Sequence, residues 1–346
     1  MQFRINRDVL LKSLAIAHNI IERKNTLPIL SNVLLEIKNS KLNVIATDLD
    51  LLFIDEISDF KIEKEGSTTT SATVLYDILK KLPANTEVSF ALQNENKLNI
   101  SADKSKFNLL CLPVDNFPNL NESFSTDGFN ISGTKFLSLL NKTKISMSND
   151  ETRHYLNGIY IHLTESDKKS YLTGVATDSH RLSSSSISLN KTDDFKPFIL
   201  PKKTVFQLCN LIQDNNDDVV LKSSETKIQF QIGKSKIISK VIDGKFPDYK
   251  KVVPVNNDKK LTIKSKEFIN SIERVASVSL DRKEGVKLNI QKDNIQLSVN
   301  SANSGEGNEK IKAEFSSDNL NISFNSKYLI DIASEIEDSN LIMNLK

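Results

Sequence analysis

The run Thr177-Asp178-Ser179-His180-Arg181 puts a carboxylate, a hydroxyl and an imidazole in consecutive positions, the three groups of a Ser/His/Asp nucleophile set. Such a set works when the base lies beside the nucleophile and the acid orients the base, which normally takes separate chain segments. Read as an extended segment, the three residues project alternately to opposite faces, so acyl transfer is not expected here. His18, His154, His162 and His180 are scattered, with no Cys or carboxylate at ligand spacing, and support no zinc site. The close carboxylate pairs, Asp48 with Asp50 and Asp217 with Asp218, read as turn and edge charges. Gly305-Glu306-Gly307 lacks the further glycines, the lysine and the strand–helix context of a phosphate loop, and only 10 glycines occur in the chain. No catalytic residue, no metal and no cofactor is expected.

What remains is basic decoration at helical spacing. Lys135, Ser138 and Lys142 share one helical face, and so do Lys203, Gln207 and Asn210. Lys80 and Lys81 lie beside a further apolar stripe, and Lys12 lies on another. Each lysine alone reads as part of a solvated face. Several such helices facing one space would make a sequence-independent site for phosphates. Asp331 and Glu335 make the last helix acidic and break a uniform rule.

The elements that position these residues repeat along the chain. Ala46-Thr47-Asp48 recurs as Ala176-Thr177-Asp178, and Lys104-Ser105-Lys106 as Lys234-Ser235-Lys236, both 130 residues on. Phe117-Pro118-Asn119 recurs as Phe246-Pro247-Asp248, 129 residues on. A finer period lies inside this one. Apolar residues at three- and four-residue spacing predict helices starting near Asp8, Thr73, Thr134, Lys203, Lys266 and Lys327, at intervals of 65, 61, 69, 63 and 61 residues. Between them lie short alternating runs, Val33 to Ile37, Lys97 to Ile100, Ile159 to Leu163, Ile228 to Ile232 and Ile295 to Val299, which read as half-buried antiparallel strands. The fold class is therefore α+β. One helix plus several strands is repeated six times and paired into three similar domains, 1–127, 128–256 and 257–346. The third domain falls short of the repeat: Asn340-Leu341-Ile342-Met343 matches the first strand after its second helix, so roughly 25 residues, about two strands, are expected to be missing.

At 346 residues, with 38% hydrophobic and 26% charged residues, the chain can bury several cores and stay soluble. No stretch approaches the roughly 20 apolar residues of a bilayer span. The amino terminus shows no cationic segment followed by an apolar one, and Cys111 and Cys209 form no motif. A cytoplasmic protein without a membrane partner is expected. The net charge of +2 excludes a binder held on nucleic acid by bulk charge. The middle domain, with 19 basic against 13 acidic residues, is the place for a local anion-binding surface.

Five motifs carry a family resemblance. Thr26-Leu27-Pro28-Ile29-Leu30, Ala46-Thr47-Asp48-Leu49, Tyr155-Leu156-Asn157-Gly158, Ala176-Thr177-Asp178 with His180-Arg181-Leu182, and Asp243-Gly244 with Phe246-Pro247-Asp248-Tyr249 resemble the bacterial sliding clamps, the beta subunits of DNA polymerase III. The resemblance runs in register from Met1 to about Met343. It implies the DNA clamp fold: a head-to-tail homodimer closing into a ring of six similar domains, helices lining the hole and strands forming the outer sheet. It implies a non-catalytic processivity factor of DNA replication that encircles duplex DNA without regard to sequence. The rival of another class is a repeat-built protein-interaction scaffold that never encircles DNA.

The resemblance also assigns roles. Lys24, Lys80, His154, Tyr155 and Lys203 match DNA-contacting positions, His154 standing where the family has a second aromatic. Asp150 stands where a neutral polar contact is found, and its charge would repel phosphate. Leu156, Thr177, Ser179, His180, Arg181, Leu182, Pro247, Lys251 and Val252 match the wall of a groove that takes short peptides from the replicative polymerase, the clamp loader and repair proteins. Ser179 replaces a glycine there and Lys251 an arginine, which loses planar packing. The carboxy-terminal strand that completes the groove in the family is not in the sequence, so weak peptide binding is expected. Phe107 and Leu109 match an edge strand used in ring closure, and Val278 the opposing helix end. Phe107 and Leu109 read equally well as alternating core residues of a strand.

Overall fold

The structure is a computed structural model that describes residues 1–21, 26–94, 96–118, 124, 128–189, 195–215, 217–279, 285–336 and 339–346. Six α-helices form at the repeated apolar stripes: α1 (Arg7–Ile20), α2 (Ala72–Lys81), α3 (Gly133–Lys144), α4 (Lys202–Asn215), α5 (Ser265–Ala276) and α6 (Ser326–Ser334). Local chemistry sets where they begin. Asn6 accepts from the Asp8 amide at 2.8 Å and Asn325 from the Lys327 amide at 2.9 Å, satisfying amides that lack a partner in the first turn. Asp8 sits in the first turn of α1 and Lys80 and Lys81 in the last turn of α2, each opposing the local end of the helix dipole.

The chain divides into two compact units, Met1–Ala176 with Ser184–Gly244, and Thr177–Ser183 with Lys245–Lys346. In the first, thirteen strands form one sheet among the described residues. Its continuity depends on one antiparallel pairing, Ser235–Lys240 against Leu51–Ile57, with Ile237 opposite Phe53. That pairing joins the part of the sheet built before residue 127 to the part built after it. Leu10, Leu14 and Ala17 of α1, Phe136 and Leu140 of α3, and Val205, Leu208 and Ile212 of α4 face a continuous core with Phe3, Phe53, Phe90 and Phe230. Phe3 stacks on Phe90 at 4.7 Å between ring centres.

In the second unit, α5 and α6 pack together and cover a core of Leu261, Phe268, Ile272, Leu288, Leu297 and Ala333. Its sheets run Glu314–Phe315, Lys259–Lys264, Asn340–Leu345 and Gly305–Lys312, Asn294–Ser301, Gly285–Gln291, Leu320–Asn325.

One pairing scheme recurs three times. The strand that precedes the first helix of each pair bonds to the strand after the second: Gln2–Asn6 with Glu87–Gln93, Phe129–Ile131 with Val219–Ser223, Lys259–Lys264 with Asn340–Leu345. The strand after the first helix bonds to the strand before the second, with Asn32 opposite Ser71, Gly158 opposite Pro201 and Gly285 opposite Asn325. Each half thus lends a strand to the other, which is why neither half can bury its helix alone.

Candidate nucleic-acid and peptide-binding surfaces

Lys80 is exposed on α2, its ammonium 5.4 Å above the Tyr76 ring. Tyr76 in turn stacks on His18 of α1 at 4.6 Å and 22°. A cation, a phenol and an imidazole therefore form one column across α1 and α2. The Tyr76–Lys80 spacing is readable in sequence as an i,i+4 pair, whereas His18 joins only through the packing of the two helices.

Lys203 is committed to the fold. Its ammonium donates to the Ile20 carbonyl at 2.6 Å and to Asp48 Oδ2 at 2.5 Å, and the Asp48 side chain is only 7% exposed. The neighbouring Lys202, not singled out by sequence, bonds Asn149 and belongs to the same helix start. Lys24 lies outside the described residues.

His154 and Tyr155 stand at the end of the short 3₁₀ turn Glu151–Leu156, their rings edge to face at 5.9 Å. His154 Nε2 lies 3.1 Å from the Asp243 carbonyl. Gly244, with φ +140°, passes so close that a Cβ there would sit 3.2 Å from Tyr155 Cβ. Asp243-Gly244 is thus the backrest of the pair. Asp150 caps this turn: it accepts from the Thr152 amide at 2.9 Å, the Thr152 hydroxyl at 2.6 Å and Arg153 Nε at 2.8 Å. Those bonds hold its carboxyl at about 2, well below the ordinary carboxylate range. The negative charge expected from sequence is present, but Arg153 compensates it. Because the folded value is the lower one, this contribution to stability is complete above about pH 4 and lost as pH falls through about 2. Asp150→Ala is expected to unfold at a lower temperature than the parent chain at pH 7, and the gap is expected to close by pH 2.

The residues Thr177 to Leu182 form a tight turn rather than an extended segment. Asp178 Oδ1 accepts from the His180 and Arg181 amides at 3.0 Å each, and Thr177 Oγ1 accepts from the Ser179 amide at 3.1 Å. Sequence periodicity has no signal for such side-chain capping of the backbone. The Asp178 carboxylate is spent on backbone amides and on Arg181 Nε at 3.1 Å, so it does not orient His180. Ser179 takes φ +76°, a left-handed conformation that suits glycine. Ser179→Gly is expected to stabilise the chain by about 0.5–1 kcal/mol in denaturant titrations.

Arg181 is the hub of the turn. Besides Asp178 it bonds Asp331 of α6 at 2.6 Å, and its guanidinium lies 4.3 Å from the Tyr328 ring centre. In the same unit Pro247 is exposed beside the buried Phe246, Lys251 pairs with Asp248 at 3.3 Å, and Val252 is 68% exposed. Val252 closes the short 3₁₀ turn Tyr249–Lys251, and an exposed valine there suits an apolar peptide anchor. Leu156, in the first unit, is buried at the end of its 3₁₀ turn.

Phe107 and Leu109 are half-buried and lie opposite Ile100 and Leu98, on the core side of the strand Ser105–Leu112. Leu110, which points the other way, is 83% exposed. Val278 is half-buried against the second unit's core, and Gly307 lets the strand Gly305–Lys312 close on it: a Cβ at 307 would meet the Val275 carbonyl at 2.9 Å. No group of three metal-ligating side chains comes together among the described residues, and no described helix is long and apolar enough to cross a membrane.

Three family models tile the chain: the N-terminal domain of the DNA polymerase III beta subunit over residues 1–121, its central domain over 130–248 and its C-terminal domain over 250–346. The beta sliding clamp of Caulobacter vibrioides is 35% identical over 338 residues, covering 97% of this chain and 91% of that protein. That of Escherichia coli is 29% identical, covering 100% and 93%. Among solved structures, a sliding clamp from Bartonella birtlesii with griselimycin bound superposes with a TM-score of 0.93 at 38% identity, over 100% of this chain and 93% of that one. The DNA polymerase III beta subunit of Pseudomonas aeruginosa gives 0.88 at 30% identity, with the same coverage. With its three-domain repeat and its shared fold, the chain belongs to the DNA polymerase III beta-subunit family, the bacterial DNA sliding clamps of replication.

Proposed function

We propose that two copies of this chain close head to tail into a ring around duplex DNA and tether the replicative polymerase as a processivity factor. The observation that carries this reading is the pairing of Ser235–Lys240 with Leu51–Ile57, by which one domain adds its edge strand to the preceding one. Its repeat counterparts have open edges, and Leu182–Leu189, the second copy of Leu51–Ile57, is likewise the last strand of its sheet. Ser105–Leu112, 130 residues before Ser235–Lys240, bonds a neighbour on its second side only at Cys111 and Leu112. Gly305–Lys312, the counterpart of Leu51–Ile57, is the last strand of its sheet. Open edges invite a partner strand, and a heterologous contact that closes gives a ring. Lys104 and Lys106 at one edge face Glu306 at the other in sign. Phe107, Leu109 and Val278 back these edges.

In this reading the domains are 1–127, 128–256 and 257–346, and the ring is no enzyme. Lys24, Lys80, His154, Tyr155 and Lys203 serve the DNA side, which needs only a weak hold, about 10⁻⁴ to 10⁻⁶ M for non-specific contact, because topology supplies persistence. The turn Thr177–Leu182 with Leu156, Pro247, Lys251 and Val252 receives short peptides of the polymerase, the clamp loader and repair proteins. The site of action is the cytoplasm, and no cofactor is needed. Small-angle scattering with sedimentation at high concentration tests closure. A dimer-mass particle with a hollow profile is expected; a monomer at every concentration contradicts it.

A further inference from the structure

The turn at Asp178 is the second copy of one at Asp48, bond for bond. Asp48 Oδ1 accepts from the Asp50 and Leu51 amides at 3.0 and 2.7 Å, and Thr47 Oγ1 from the Leu49 amide at 3.0 Å. Leu49 takes φ +78°, as Ser179 takes +76°. In both, the acid's own amide donates to the carbonyl three residues on. A turn kept in such detail through 130 residues of divergence has a task beyond reversing the chain.

Both copies carry an ion pair to the second helix of the domain that follows. Asp48 takes Lys203, the second residue of α4. Asp178 holds Arg181, which reaches Asp331, the sixth residue of α6. The polarity is reversed: acid on the turn and base on the helix in one, base on the turn and acid on the helix in the other. What is common is the place and the complementarity.

Strand register locates the third copy. Leu34 lies opposite Ile45, Tyr160 opposite Val175 and Lys287 opposite Ser298, and the acid stands three residues beyond the second member of each pair. That position is Asp48, Asp178 and Ser301. At Ser301 the Ser304 amide donates to the Ser301 carbonyl at 3.2 Å, the reverse of the bond in the other two copies, and Ser301 pairs with Gly305, so the third connection is one residue longer and lacks the acid-capped turn. Ser304 stands three residues beyond Ser301, as Arg181 stands three beyond Asp178, and precedes Gly305, which pairs with Ser301. In a head-to-tail ring this third turn meets α2 of the second copy, where Lys203 is replaced by Thr73 and Asp331 by Asp77. The turn offers no charge, and Asp77 has no cation to meet.

We propose that the turn-to-helix ion pair is an interdomain latch, closed at both junctions within the chain and absent at the junction between copies, and that this absence makes the intermolecular junction the one that opens. The inference rests on the head-to-tail reading above.

One substitution tests it. Ser304 is exposed, so Ser304→Arg leaves the monomer's core untouched and supplies the cation that Asp77 lacks. In subunit-exchange measurements at about 0.1 M salt, Ser304→Arg is expected to slow dimer dissociation by about two- to fivefold. Ser304→Gln is expected to leave the rate unchanged, and Asp77→Asn to remove the gain. A dimer whose exchange is unaltered by Ser304→Arg, or altered equally with Asp77→Asn, overturns the latch and leaves the ring standing. A chain that never dimerises overturns both.

Discussion

Arg181→Ala is expected to lower the stability of the second unit by about 2–4 kcal/mol, a large loss for one side chain. The Arg181 side chain is 13% exposed and sits between two carboxylates that are themselves largely shielded, Asp178 at 16% and Asp331 at 26%. Removing it leaves both acids without a counter-ion and bares the face of Tyr328. Arg181→Lys keeps the charge but loses the planar fork and the stacking, so it is expected to fall between the two. Because Arg181 pins the turn to α6, Arg181→Ala and Asp331→Ala are both expected to weaken binding of an apolar peptide, although Asp331 lies in the helix rather than in the turn. Denaturant titration and fluorescence anisotropy on the same variants read the two effects.

Lys203→Glu is expected to cost about 2 kcal/mol or more at neutral pH, a figure reduced for the partial exposure of Lys203 itself. The change removes the ammonium from Asp48 Oδ2 and from the Ile20 carbonyl at the end of α1, and sets a second carboxylate beside a nearly buried one. Lys203→Met loses the bonds without adding repulsion, and is expected to cost less. Lys202→Glu serves as the contrast: it reverses a charge one residue away without touching Asp48. If Lys203 contacts DNA as well, Lys203→Glu impairs loading more than its stability loss accounts for. Equal stability of Lys203→Glu and the parent chain would sink the structural role.

These two residues mark the boundary of what the sequence discloses. The six helices lie where the 3.6-residue period puts them, because each buries one stripe and the stripe is written in consecutive residues. The alternating runs are strands for the same reason. Lys203, by contrast, reads as part of a solvated face, since its partner Asp48 is 155 positions away and nothing in local spacing announces the bond. Arg181 and Asp331 are 150 positions apart. The turn at Asp178 escapes a periodicity reading because the side chain caps its own backbone. The repeat discloses the three domains but not the exchange of strands between halves, nor that Ser235–Lys240 extends the preceding domain's sheet, because register between distant strands is set by packing. Asp150 was legible as a charge; that Arg153 and Thr152 hold and compensate it is a matter of three-dimensional placement.

Encirclement is a topological property, and it is tested most directly on DNA of different topology. The chain, loaded by a bacterial clamp loader and ATP onto nicked circular DNA and separated by gel filtration, should remain with the circle at a salt concentration that disrupts ordinary phosphate contacts. Cutting the circle once should release it, because the ends let the ring slide off. Retention that is the same on circular and linear DNA, or that disappears with salt on both, would contradict encirclement and leave an ordinary electrostatic binder or a protein scaffold in its place.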